Sequence, residues 1–295
     1  MTTMDKAIET PEPVTATQPP GVFRRAWSFR QAKIGAALTA AVVLVAVVGP
    51  WVGPWITGFE ANDFAGKPFK PDGIAGTDGI GRDVLTRFLA GGTSLLLYAA
   101  LATALGVVLG AALGMLAGYS GGLLDSLIMR GNDVLMSFPQ LMFALLAIAM
   151  IGPEGWLLIL VIGVSHASRV ARVARQATVT VVGNEYIRAA EMYATARWLI
   201  LFREVLPNIT GPLMVELGLR LTYSIGYVAS LSFLGLGIQP PAADWGLMIN
   251  ENRIALVVQP WGVLLPVLAI AVLTVGTNLI TDSLASAAAG RGGNR

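Results

Sequence analysis

The chain has no cysteine and a single histidine, His166, among its 295 residues. The first absence excludes a disulfide framework, a thiolate metal site and a thiol nucleophile. The second leaves a metal site short of ligands, since most such sites take three or four. Charge is scarce as well: Asp, Glu, Lys and Arg make up 13% of the chain, against roughly 25% in soluble domains. Its lysines are Lys6, Lys33, Lys67 and Lys70. None lies in a GxxxxGK[ST] string, so the phosphate-gripping loop of an ATPase is missing. A net charge of +2 is too small to point to nucleic acid.

What is abundant is apolar. Hydrophobic residues make up 55% and mean hydropathy is +0.67, the composition of an integral membrane protein in contact with lipid. A helix crosses hydrocarbon with about 20 apolar residues. That ruler predicts an all-α polytopic fold with six transmembrane helices, over 34–55, 93–117, 134–152, 155–173, 209–236 and 262–284. The fourth span is the weakest, because Arg169, Arg172 and Arg175 follow Ser168 on one stripe that snorkels or runs into the cytosol. With the N-terminus inside, 14 of the 20 Lys and Arg fall on the cytosolic side, and Lys67, Lys70, Arg82, Arg87 and Arg253 fall outside. Trp51, Trp55, Trp156, Trp245 and Trp261 fall at the expected outer boundaries. Both termini are therefore expected in the cytosol.

Residues 1–32 hold Pro11, Pro13, Pro19 and Pro20 with little to bury, and read as a disordered cytosolic tail. A transmembrane domain over 33–286 and a short cytosolic tail over 287–295 complete the chain. Arg24 and Arg25 have the look of a twin-arginine signal, but a polytopic body follows and a positive-inside flank accounts for them.

The stretch Gly183 to Pro207, GNEYIRAAEMYATARWLILFREVLP, is a charged insert between two apolar runs. Asn184 is a good N-cap, Glu185 favours the positive helix end, and Arg188 to Met192 are strong helix formers. Thr195 is expected to cap a second helix that Pro207 limits. The outcome is a helix, turn, helix with small Ala189 and Ala190 exposed, suited to docking rather than catalysis. The string RAAEMYATA followed by LPN resembles the EAA loop of ABC-importer permeases, whose pattern is an acidic residue, two alanines, three residues, a glycine and later a hydrophobic-Leu-Pro. Arg188 stands where that pattern has its acid, and Ala194 where it has glycine. If position 194 needs a left-handed backbone, alanine there costs about 1 kcal/mol relative to glycine, and the turn is rebuilt.

Other motifs lie along the spans. GTDGIGRDVLTR, Gly76 to Arg87, has glycines for turns and Asp78, Arg82 and Asp83 to lock them, a structural latch under the next helix. Gly106, Gly110 and Gly114 at intervals of four let another helix approach closely. Asp125, Arg130 and Asp133 are expected to pair at the membrane edge, and Pro139 to kink the third helix. His166 suits a buried hydrogen bond. Glu216 and Arg220, four apart, form either an ion pair that sets the rotation of the fifth span or a polar patch on a solute pathway. SLSFLGLGIQPPAADWG, Ser230 to Gly246, closes the fifth span: Gly235 and Gly237 end the helix, Pro240 and Pro241 stiffen the exit, and Trp245 suits the interface.

These strings extend the resemblance over residues 30 to 285. SFLGLG followed by PP and WG looks like the signature of the C-type subunit of dipeptide, oligopeptide, glutathione and nickel importers. The resemblance implies a type I ABC-importer permease fold in a bacterial inner membrane. The implied coupling residues are Glu185, Tyr186, Ile187, Arg188, Ala189, Ala190, Ala194, Leu206 and Pro207, and the implied outer signature is Gly235, Gly237, Pro240, Pro241, Trp245 and Gly246. It also implies a homologous second permease, two cytosolic ATPase domains that bind the ATP and Mg, and an extracytoplasmic solute-binding protein. A peptide-like solute is expected, with no cofactor or catalytic residue in this chain. A self-sufficient secondary transporter would need a coupling relay from Glu216, Arg220 and Asp282. An intramembrane enzyme would need a nucleophile with its base or a metal cluster, which one histidine and scattered carboxylates do not supply.

Overall fold

The computed structural model describes residues 22–71 and 73–290, and their regular structure is helical apart from two isolated bridges, Phe64 with Arg82 and Thr77 with Asp83. A short helix α1, Val22–Ala26, leads into the long α2, Arg30–Thr57. After a loop come α3, Val84–Ser120, then α4, Gly122–Ser137, and α5, Gln140–Ile151. Helix α6, Gly155–Val182, precedes the charged insert, which holds α7, Glu185–Met192, and α8, Arg197–Ile200. Helix α9, Leu206–Phe233, is followed by the short α10, Trp245–Asn252, and by α11, Trp261–Ala288.

Helices α2, α3, α6 and α11 are each long and apolar enough to cross a membrane. The expected third span, 134–152, is corrected: α4 and α5 meet at an angle of 83° across Phe138 and Pro139. Proline lacks an N–H to continue the helix and pushes its predecessor to extended backbone, and Phe138 has ψ 131°. The 12 residues of α5 extend about 18 Å, short of a hydrocarbon core of roughly 30 Å. Helix α9 is as long as α2, but Glu216, Arg220 and a run of hydroxyl and amide side chains hold its hydropathy down. Among the described residues the bent pair, taken as one span, makes five, and α9, equal to α2 in length but less apolar, is consistent with the sixth expected. Within the segment expected as a tail, Ala26 is buried against Leu284 and Ala287 of α11, and residues 1–21 and 291–295 lie outside the described residues.

The largest interface joins α3 to α6. A Cβ on Gly106 would meet Gly163 O at 2.8 Å, on Gly110 Ala167 O at 2.6 Å, on Gly114 Ala171 O at 2.5 Å, and on Gly118 Arg175 O at 2.8 Å. The glycine face expected from sequence thus packs directly on the backbone of α6, opposite its small residues, for four successive turns. The span that was weakest by hydropathy is the one most enclosed by its neighbours.

Both ends of α3 are pinned by charge. At the Asp78 end, Asp83 N-caps α3, accepting from Thr86 N and Thr86 Oγ1, both at 2.7 Å. Asp78 accepts from Ile80 N at 3.0 Å, Arg82 N at 2.9 Å and Arg82 Nε at 2.7 Å. Glu251 of α10 binds Arg82 Nη2 at 2.9 Å and Arg87 Nη2 at 3.3 Å. Arg82 and Arg87 are buried, so this network supplies the partners that buried charge requires. It is the latch expected from sequence, with Glu251 added from 169 residues away. At the other end, Arg175 of α6 holds Asp125 of α4 by two bonds, at 2.5 and 2.6 Å. Arg172 binds Asp133 at 2.5 Å. The expected partner Arg130 is displaced from both pairs, because the α3–α6 seam carries the arginines of α6 over α4.

Asp244 caps α10, its Oδ1 accepting from Leu247 N at 3.0 Å, and its carboxylate is buried beside Ser232 and the Gly246 backbone. Burial pushes this carboxyl up to about 6. A carboxyl raised on folding contributes stability fully below its unfolded pKa near 3.9 and loses that contribution as pH rises through about 6. The thermal midpoint of the detergent-solubilised chain is expected to fall between pH 4.5 and 7, and Asp244→Asn, which keeps the capping oxygen, is expected to flatten that slope. Gly110→Leu forces side-chain atoms into the α6 backbone and is expected to cost about 1–3 kcal/mol or more, read as a lowered thermal midpoint and loss of the monodisperse species in size-exclusion chromatography.

Candidate functional site

The charged insert folds against one end of the bundle. Helix α7 presents Ile187 inward, fully buried in a cluster with Met115 of α3, Val170 and Ala174 of α6, and Val205 and Ile209. Tyr119 at the end of α3 donates to Glu191 Oε1 at 2.8 Å, a second tie. The outward side carries Tyr186, Met192 and Tyr193, with Met192 and Tyr193 81% and 86% exposed. Glu185 and Arg188 are exposed, whereas Ala189 and Ala190 are half-buried rather than exposed. Of the large side chains on this face, Tyr186 was expected from the sequence, whereas Met192 and Tyr193 were not, although Tyr193 lies seven residues, two helical turns, beyond Tyr186.

Local details correct two expectations. Asn184 stands at the N-cap of α7 with extended backbone, but its side chain donates back to Val181 O at 2.9 Å instead of capping. Thr195 does not cap the second helix, which starts at Arg197 after Ala196, and Pro207 does not limit it. The chain stays helical from Arg197 through Phe233, with a π-helical turn over Leu201–Val205 directly before Leu206 and Pro207. A wider turn there accommodates a proline ring that would otherwise crowd the carbonyl four residues earlier. Ala194 has φ 55°, so the left-handed backbone is kept with alanine in place and the turn is not rebuilt.

In the bundle, Arg220 Nε lies 3.0 Å from Glu216 Oε2, both side chains largely buried. The two atoms are off hydrogen-bond alignment, so their attraction is coulombic. The Arg220 guanidinium also lies 5.2 Å from the Tyr223 ring centre. This geometry fits the intrahelical pair that fixes the rotation of α9. His166 is buried as expected, with Nε2 3.0 Å from Ser224 Oγ and Nδ1 3.3 Å from Gln140 Nε2. Thr103 Oγ1 of α3 donates to Ser224 Oγ at 2.9 Å. One hydrogen-bonded chain thus joins α3, α5, α6 and α9. A serine and histidine that are sealed between helices, with an amide as third member, make a structural tie and not a nucleophile with its base.

At the far end of α9 the helix closes as expected: Gly235 takes φ 76°, its N–H donates to Ser232 O at 3.0 Å, and Leu236 N donates to Leu231 O at 2.9 Å. A Cβ on Gly246 would meet the Ala229 backbone, and one on Gly237 the Ser232 backbone, both at 2.5 Å. Pro240 and Pro241 lie in the exposed exit, joined by a cis peptide bond. Trp245 is corrected. It is fully buried rather than interfacial, stacked on Phe88 with ring centres 5.6 Å apart and donating Nε1–H to Phe88 O at 2.8 Å. The buried end of α3 offers its indole both an apolar slot and an acceptor.

Comparison with known proteins agrees with this architecture. Residues 110–290 match the family described as binding-protein-dependent transport system inner membrane component. Over 212 residues, 72% of this chain and 70% of the relative in each case, the chain is 34% identical to the glutathione transport system permease protein GsiD of Pectobacterium atrosepticum. Over the same lengths it is 37% identical to that of Escherichia coli O6:K15:H31 and 38% to that of Shigella flexneri serotype 5b. The apolar helices, the pinned charged insert and these likenesses converge: the chain belongs to the family of binding-protein-dependent transport system inner membrane components and is a multi-pass permease subunit of an ABC importer, whose ATP hydrolysis lies in partner subunits.

Proposed function

We propose that this chain forms half of the translocation pathway for di- or oligopeptides, or for related solutes such as glutathione or chelated nickel, beside a homologous second permease. Of two cytosolic ATPase domains in the assembly, one would dock on Gly183 to Pro207 of this chain, and an extracytoplasmic solute-binding protein would deliver the solute at the other end. Both termini would lie in the cytosol, as the charge asymmetry favours. The relatives named for glutathione transport support a peptide-like solute.

The observation that carries the coupling role is the two-sidedness of α7. Ile187 is fully buried in the bundle, while Tyr186, Met192 and Tyr193 stand out from it. A partner that grips the outer side moves a helix whose inner side is locked to α3, α6 and α9. Closure of the ATPases on ATP would therefore tilt the whole bundle as a rigid body, which is alternating access by rocking. Leu206, half-buried, and Pro207 at the start of α9 carry that motion into the membrane.

Replacing both Ala189 and Ala190 with Asp places charge and bulk at the half-buried shoulder of this helix. ATPase co-purification and ATP-driven uptake are expected to be lost while the bundle stays inserted, and normal co-purification and uptake would refute the coupling role. Ala194→Gly relieves a left-handed alanine and is expected to stabilise the junction by about 1 kcal/mol, measured as slower amide exchange from Ala190 to Leu199.

A further inference from the structure

Helix α9 contains a glycine with no internal reason to be one. Gly226 sits mid-helix, where glycine is disfavoured relative to alanine, yet a Cβ there would meet nothing within 4 Å. The contrast with the seam glycines is direct: those four are pressed on backbone, and this one opens on a groove. The groove, of about 360 Å³, lies between α9 and α11 and is lined by Tyr223, Gly226, Tyr227, Ser230, Thr274 and Asn278, with Thr222 at its edge. Tyr223, Gly226 and Ser230 recur at helical spacing on the exposed side of α9, and Asn278 is exposed on α11.

Beside the groove, the hydroxyls turned inward are satisfied. Thr222 donates to Thr277 Oγ1 at 3.0 Å, Thr103 to Ser224, and Thr274 to Ile270 O at 2.7 Å. Among the described residues, nothing hydrogen-bonds the side chains of Tyr223, Tyr227, Ser230 or Asn278. Phenol, hydroxyl and amide groups left bare against hydrocarbon are costly, which disfavours lipid on this face. Its chemistry is neutral: hydrogen-bonding groups on an apolar and aromatic wall, with no carboxylate or imidazole among the lining residues. Glu216 and Arg220 are not among them, and Arg220 packs on the Tyr223 ring. From Thr222 to Ser230 the wall extends about 12 Å along the helix, the length of three or four extended residues.

We propose that this groove is the solute-contacting wall of the pathway in this chain, matched to the amide backbone of a short peptide, and that Gly226 is kept small to leave the passage open. The inference rests on the permease reading above and specifies where solute touches the subunit.

The absence of cysteine makes the test direct. Ser230→Cys and Asn278→Cys, each in the assembled importer in proteoliposomes, are treated with a small, charged, membrane-impermeant methanethiosulfonate, and the modified chain is read by mass. Both are expected to react at least tenfold faster than Val108→Cys, exposed on the apolar surface of α3. Labelling no faster than this control overturns the proposal, placing the face against lipid or the second permease. In parallel, Val108→Trp and Gly226→Trp are compared for uptake of a radiolabelled mixture of di- to pentapeptides and for co-purification of the second permease and the ATPases. The Val108 variant, outside the groove, is expected to transport like the parent, and the Gly226 variant to lose at least tenfold in uptake with all subunits still bound. Undiminished uptake by Gly226→Trp, or loss of the second permease from it, overturns the assignment. A parent importer that takes up no peptide refutes the peptide reading of both the function and the groove, while the labelling result still decides whether the wall is wet.

Discussion

Direct backbone contact between α3 and α6 is the constraint on which the rest depends. In lipid no hydrophobic force drives helices together, so association rests on close packing and hydrogen bonding. Four glycines over four turns of α3 bring the two backbones together, and that approach decides what lies beside what. It sets His166 near Ser224 and Gln140, carries Arg175 and Arg172 over Asp125 and Asp133, and gives Ile187 its pocket beyond the end of α6. Charge then locks the ends of the unit: buried Arg82, Arg87 and Asp78 with Glu251 at one, half-buried Arg175 with Asp125 at the other.

Such a unit behaves as a lever rather than as a hinge. A push on α7 is received by the same apolar cluster that contains Met115, Val170 and Ile209, so force at the insert reaches three long helices at once. The buried hydrogen-bonded chain of Gln140, His166, Ser224 and Thr103 stiffens the bundle further along. Flexible connection would dissipate the displacement. The wide π-helical turn before Pro207 keeps the α8 to α9 connection helical where proline alone would break it.

Much of this was legible in the sequence because membrane physics is severe. Hydropathy located α2, α3, α6 and α11, the glycine interval identified the packing face of α3, and the aspartates and arginines of Gly76 to Arg87 identified the latch. The unread parts share a cause, which is that they depend on a partner distant in the chain. Glu251 reaches Arg82 only after α10 folds back, Trp245 finds its slot only against Phe88, and Asp125 takes Arg175 because of the seam. Pro139 and Pro207 show the limit of local rules. The first breaks a span where a kink was expected, and the second lies inside a helix it was expected to end. Gly226 is a different case, a residue whose meaning is visible only from the empty space beside it.

The central claim is that this chain moves solute only when ATPases drive its bundle. The most direct measurement is accumulation of labelled peptide in proteoliposomes that hold either the purified chain alone, under an imposed proton gradient, or the complete importer with binding protein and ATP. The account predicts accumulation by the complete importer alone, abolished when ATP is omitted. Gradient-driven accumulation by the isolated chain would contradict it and return attention to the buried pair of Glu216 and Arg220.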